Sequence, residues 1–463
     1  MVPSMEERAA NPAGGEASEL QLRAWVERAA KGRITLWQSI SGGNRCRSWA
    51  VDIVSNDGTR SEVYLRYQPP RPPSAEPYTV WREAEFYKAL QGSGVPAPEL
   101  IAVNPDYPAI ITERAPGKAD YRRLSSLDEK EAIATDFARA LARLHAIPVD
   151  NLDLPDYAGG RIPDCVRLEI AIWRAMYEEA SPTDPLIELA LGWLEQNIPQ
   201  TDDDPVLVHG DAGPGNFLFE NGHMTALLDW ELAHVGDPME DLAWFSMRCV
   251  MEPVPDFSET IRHYEKASRR QVDVGRILYH RVFVSTRVVI IRHRNVTGEP
   301  GNSIVSKALN RRLLIDALAA ANGIALASRL PMNACPTPYT HLYDAVLHDL
   351  RHKIADRSED ASIVATAKNA AKVLKYLRET DRLSAIAERE RLDDLARLLD
   401  NRPANLEAGD ASLREAITQH KISFEALIRF FADDVARDAH IAALSSGGLA
   451  ERKFPEIQES SSR

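Results

Sequence analysis

Three side chains in this sequence carry the most chemistry for their spacing: Asp211, Asn216 and Asp229. Asp211 stands in His209-Gly210-Asp211-Ala212-Gly213-Pro214-Gly215-Asn216, a glycine-rich loop that follows the apolar run Val206-Leu207-Val208. Asp229 closes a second apolar run, Ala226-Leu227-Leu228. A carboxylate can take the proton of a hydroxyl nucleophile. An amide oxygen and a second carboxylate can share a small hard cation such as magnesium, which bridges phosphates. The chemistry open to such a set is phosphoryl transfer.

A hairpin must bring these groups together. Asn216-Phe217-Leu218-Phe219-Glu220 reads as a strand and residues 223–229 as its return. Asn221-Gly222 between them suits a two-residue turn with positive φ at both positions. That turn predicts Glu220 opposite His223, Leu218 opposite Thr225 and Asn216 opposite Leu227. Side chains alternate along a strand. Asp229 is therefore expected on the face of Asn216, one diagonal step or about 7–8 Å away between Cα atoms. Asp237-Pro238-Met239-Glu240 then opens a helix, with Asp at the N-cap, Pro first and Glu third. Asp241 falls in its first turn, where a carboxylate suits the helix dipole.

Upstream, residues 34–40, 48–54, 61–67 and 109–113 read as strands, and residues 20–30 as a short amphipathic helix. The turn Ser41-Gly42-Gly43-Asn44 could let backbone amides approach phosphates. Arg66, on the third strand, is a cation within reach of the same ligand. Glu83 and Glu85 lie on the following helix, one of them a candidate partner for Arg66 and the other a solvated residue.

The run from His209 through Asp229-Trp230-Glu231 to Gly236-Asp237-Pro238 and Asp241-Leu242-Ala243 resembles the aminoglycoside phosphotransferase and choline-kinase-like superfamily. It is most similar to the branch whose kinase-like domains are associated with acyl-CoA dehydrogenases. The offset from Asp211 to Asn216 also matches the protein-kinase loop H-R-D-x-x-x-x-N. The resemblance implies a small-molecule kinase that uses ATP and magnesium. It implies a catalytic group of Asp211, His209 and Asp241, with Asp211 as base and Asp241 bracing the loop. Asn216 and Asp229 would bind magnesium. Ser41, Gly42, Gly43, Arg66, Glu83, Glu113 and Ala115 would surround ATP, with the main chain of 113–117 as the hinge that meets adenine. Kinases usually place Lys where this chain has Arg66; the branch often carries Arg there.

The implied fold is α+β: a two-lobed protein-kinase-like fold with an antiparallel sheet in the N-lobe and a mainly helical C-lobe, plus an all-α C-terminal domain. The expected division is a loose tail over 1–18, the N-lobe over 19–117, the C-lobe over 118–330, a helical domain over 339–450 and a polar tail over 451–463. The break rests on the proline-rich segment 331–338.

At 463 residues the chain is long enough for two or three domains, and 44% hydrophobic content supplies their cores. A net charge of −13 argues against nucleic-acid binding. Four dispersed cysteines, without Cys-x-x-Cys, suit reduced thiols in the cytoplasm. No apolar run approaches a membrane span. The expected partners are ATP and a small hydroxyl-bearing substrate.

Two other readings compete: a non-catalytic nucleotide-binding or scaffold protein, and a metal-dependent phosphohydrolase using the same carboxylates. Retention of Asp211, Asn216 and Asp229 favours the kinase over the scaffold, and Arg66 alone leans the other way. The two-lobed order of strands, hinge and catalytic loop argues against the phosphohydrolase. His348 and His352 have the spacing of two zinc ligands, but no third is identifiable, so they read as a polar helix face. Arg281, Arg287, Arg292 and His293 make one helix basic. They could meet an anionic group such as a phosphate or coenzyme A, but read more simply as a solvated face.

Overall fold

The structure is a computed structural model that describes residues 16–40, 45–72, 74–149, 157, 159–294, 300–329, 331–334 and 336–458. The chain forms two compact units. The first comprises residues 1–172, 200–274 and 455–463; the second comprises 173–199 and 275–454.

In the first unit, helix α1 (Glu19–Ala29) precedes strands β1 (Gly32–Ile40), β2 (Arg47–Ser55) and β3 (Arg60–Tyr67). Helix α2 (Val80–Leu90) leads to β4 (Leu100–Val103) and β5 (Ala109–Glu113). The five strands form an antiparallel sheet in the order β1-β2-β3-β5-β4. Alternation decides what each face holds. Val63, Leu65 and Tyr67 of β3 are buried in a core with Trp25, Val26, Val51 and Ile111. Arg66, between them, faces the other way, and Glu83 of α2 is its neighbour there.

Helices α3 (Leu127–Leu144) and α4 (Ile162–Glu178) follow, then α5 (Pro185–Gln196). A second group of short strands comes next: β6 (Val206–Val208), β7 (Phe217–Glu220), β8 (His223–Leu227) and β9 (His234–Gly236). β7 pairs with β8 and β6 with β9, both antiparallel. Helix α6 (Pro238–Met251) starts as expected, with Asp237 accepting from the Met239 amide at 2.8 Å. α7 (Phe257–Ser268) completes this unit's helices.

The second unit is helical. It contains α5, most of α8 (Val274–Arg294), and α9 (Pro300–Ala321), α10 (Thr340–Asp349), α11 (Ala361–Leu399), α12 (Leu406–Thr418) and α13 (Phe424–Ser446). The packing therefore does not break at 331–338. α9 buries Leu309, Leu313, Leu314 and Leu318 and packs on α11 and α13. A helix apolar on several sides needs partners on several sides. The solvated-face reading of α8 is also corrected: Arg281 and Arg287 are buried, and Arg287 lies 3.9 Å over the Phe283 ring. His348 and His352 stand with rings 4.6 Å apart. His352 bonds Asp356 at 2.9 Å, and no group of three candidate metal ligands occurs among the described residues.

Candidate active site

The turn at Asn221-Gly222 has positive φ at both residues, 51° and 77°. The hairpin register differs from the expected one beyond the second pair, Phe219 opposite Met224. Glu220 faces His223, but Leu218 faces Ala226 and Phe217 faces Leu227. Thr225 is the extra residue at the irregularity, and its hydroxyl donates to the Pro116 carbonyl at 2.6 Å. Asn216 stays at the hairpin mouth all the same, because the Leu228 amide donates to its carbonyl at 2.8 Å. Asp229 then leaves the strand with φ 67°.

Asn216 Nδ2 donates to the carbonyl and to Oδ2 of Asp211, both at 2.9 Å. Its Oδ1 has no partner among the described residues. Asp229 Oδ1 accepts from Arg66 Nη1 at 2.9 Å, and its Oδ2 is likewise untaken. One amide oxygen and one carboxylate oxygen are thus left over at the hairpin mouth. That donor set fits magnesium, which takes one or two protein oxygens and completes its shell with water and phosphate.

The loop before Asn216 is held from below. Asp241, fully buried, accepts from the His209 amide at 2.8 Å and the Gly210 amide at 3.0 Å. It also meets His145 Nε2 at 3.1 Å, while His145 Nδ1 meets the Tyr264 hydroxyl at 2.7 Å. A carboxylate only accepts, so Nε2 is the donor in that chain. Burial pushes the Tyr264 hydroxyl well up, and it stays protonated. His209 is buried too, with Nε2 on the Leu228 carbonyl at 2.9 Å and Nδ1 beside the Asp211 amide at 3.3 Å. Both its nitrogens are engaged by backbone groups. Gly210 has φ 78°, and a Cβ there would lie 2.2 Å from the Leu232 carbonyl oxygen.

Arg66 is shared among three carboxylates. Nη1 is 3.3 Å from Glu83 and 2.9 Å from Asp229, and Nη2 meets Glu231. Arg45 adds a second cation on Glu231 at 2.9 Å. Desolvation would raise Asp229, but the Arg66 guanidinium holds it below the usual carboxylate range. Burial pushes Glu83 up to about 8, against the pull of Arg66, and burial beside Asp229 also raises Glu231. Glu83 is the buried partner expected for Arg66, while Glu85 pairs with Lys88 at 2.9 Å.

Glu113 ends β5 and donates its amide to the Glu99 carbonyl at 2.8 Å. Ala115, two residues on, has no backbone hydrogen bond among the described residues. Ser41, Gly42 and Gly43 lie outside the described residues. Arg45, Arg248 and the ion pairs of Glu231 were not foreseen. Arg248 carried one overlooked signal: it lies seven residues after Asp241, hence on the same face of α6.

A model of the phosphotransferase enzyme family matches residues 37–274, just over half the chain. The chain belongs to this family. Acyl-CoA dehydrogenase family member 11 of Gallus gallus is 34% identical over 190 residues, covering 39% of this chain and 24% of that protein. The Homo sapiens protein of the same name is 32% identical over 195 residues, covering 40% of this chain and 25% of that protein. The match thus spans about a quarter of the length of these curated relatives. A crystal structure of a candidate aminoglycoside phosphotransferase from Ralstonia eutropha superposes with a TM-score of 0.51 at 21% identity. It covers 66% of this chain and 98% of that one. The fold of this phosphotransferase-family chain is the α+β, protein-kinase-like one, with helices added after it. No helix among the described residues is long and apolar enough to cross a membrane.

Proposed function

We propose that this chain is a small-molecule kinase that transfers the γ-phosphoryl group of ATP to a hydroxyl. The observation that carries this is the hairpin mouth: Asn216 is bonded to Asp211 while Asn216 Oδ1 and Asp229 Oδ2 are left over. Asp211 takes the proton of the acceptor hydroxyl. The acceptor oxygen bonds the γ-phosphorus as the bond to the bridging oxygen breaks, and ADP leaves with that electron pair. Magnesium held by Asn216 and Asp229 would neutralise charge on the phosphates. Arg66 would turn from its carboxylates to the α- and β-phosphates, which a guanidinium can bind bidentately. The untaken backbone of Ala115 supports an adenine contact at 113–117.

Magnesium-dependent ADP formation tests the proposal. The acceptor panel is aminoglycosides, choline-like alcohols, sugars and hydroxyacyl-CoA thioesters. Acceptor-dependent ADP and a phosphorylated product are expected. The non-catalytic alternative is favoured by the grip of Arg66 on Asp229. Mg-ATP binding without transfer to any acceptor would establish that alternative.

A further inference from the structure

The helical unit contains a cavity of about 490 Å³, formed wholly by its own residues. That is the size of a small-molecule site, for which about 300–1,000 Å³ is usual. None of the residues around it belongs to the catalytic hairpin.

Its charges are unequally engaged. Arg292, Lys307, Arg311 and Arg391 line it, with Asp184 and Asp410 as the lining carboxylates. Both carboxylates are taken. Asp184 accepts from Arg311 Nη1 and, at 2.9 Å, from the Leu186 amide as the cap of α5. Arg391 holds Asp410 at 2.6 Å and Asp434, behind it, at 2.7 Å. Burial raises the Asp438 carboxyl, on which the charges of Asp434, Arg311 and Lys307 also act. Arg292 and Lys307 are exposed and have no ion pair among the described residues. Two more lining groups, Arg311 Nε and His293 Nε2, are buried without a hydrogen-bond partner. Arginine Nε is a donor only, and a buried unmade donor is costly. Val289, Ile304 and Phe431 supply an apolar wall.

Unengaged cations, buried donors and an apolar wall together describe a ligand. Phosphate oxygens would accept from Arg311 Nε and His293, and their charge would meet Arg292 and Lys307. A carbon skeleton would lie against Phe431. We propose that this cavity binds an organic phosphate, a small molecule with one phosphate group and an apolar part.

Calorimetry of the full chain in EDTA, with phenyl phosphate and with inorganic phosphate, tests this. Phenyl phosphate is expected to bind, and more tightly than inorganic phosphate. The double variant Arg292→Gln/Lys307→Gln should weaken it at least about tenfold. Both side chains are exposed, and an unchanged melting temperature would confirm that the fold is kept. Asp229→Ala should bind as the wild type does. Absence of binding, binding that survives the double substitution, or binding lost in Asp229→Ala would overturn the site. Equal affinity for inorganic phosphate would overturn the organic ligand.

Discussion

Arg248 grips Asp211 by both carboxylate oxygens, with Nε 2.8 Å from Oδ1 and Nη2 on Oδ2. The same helix, α6, holds the start of the loop through Asp241 and its middle through Arg248. Gly213 leaves room for this, since a Cβ there would lie 2.7 Å from Cβ of Arg248. A planar guanidinium fork fixes the orientation of a carboxylate as a point charge cannot.

Arg248→Gln should therefore lower kcat by about 10–100-fold, the cost of a slightly misplaced group. KM for ATP should change little, because no nucleotide contact is assigned to Arg248. Arg248→Lys should recover only part of the loss. Steady-state kinetics with both variants checks this, and a wild-type kcat in Arg248→Gln would refute the positioning role.

The two proposed magnesium ligands should not be equal. Asp229→Ala removes a charged oxygen and Asn216→Ala a neutral one, so Asp229→Ala should weaken Mg-ATP binding more. Titration calorimetry at several magnesium concentrations decides it. Unchanged affinity in Asp229→Ala at every concentration would count against the hairpin mouth.

Glu83 should make stability fall with pH. Its carboxyl is ordinarily half ionised at 4.5 but is pushed up to about 8 in the folded chain. The unfolded chain thus loses this proton first. The group's contribution is fully present below 4.5 and is lost as pH rises to about 8. Glu83→Gln cannot ionise and should gain stability relative to wild type across that window. Urea unfolding in EDTA from pH 4.5 upward measures it; parallel curves would contradict the assignment.

Asp241→Asn should loosen the loop. One of the two oxygens that accept from His209 and Gly210 becomes a donor facing a donor. Hydrogen bonds to a charged group contribute about 1.5–3 kcal/mol. A loss of that order is expected in urea unfolding, and a variant as stable as wild type would mean the brace is dispensable.

Much of this was legible in local sequence. Alternation along β3 separated Val63, Leu65 and Tyr67 from Arg66, and Asn221-Gly222 fixed the hairpin turn. The register beyond it was not legible, because the irregularity at Thr225 coincides with a bond to Pro116, far along the chain, that no local pattern announces. The Arg248 clasp joins residues 37 positions apart and leaves no local signal except its spacing from Asp241. The expected division at 331–338 followed from prolines. Composition marks a chain break, but it does not show that α9 finds its partners beyond that break.

The most direct test of the central claim is single-turnover transfer of the γ-phosphoryl group of ATP to an identified acceptor by wild type and Asp211→Asn. The amide keeps the size of the carboxylate and can still meet Arg248 through one oxygen, but it cannot take the hydroxyl proton. Wild type should transfer, and Asp211→Asn should bind Mg-ATP with transfer slowed by about 10²–10⁴-fold. Equal transfer rates in the two proteins would contradict Asp211 as the base.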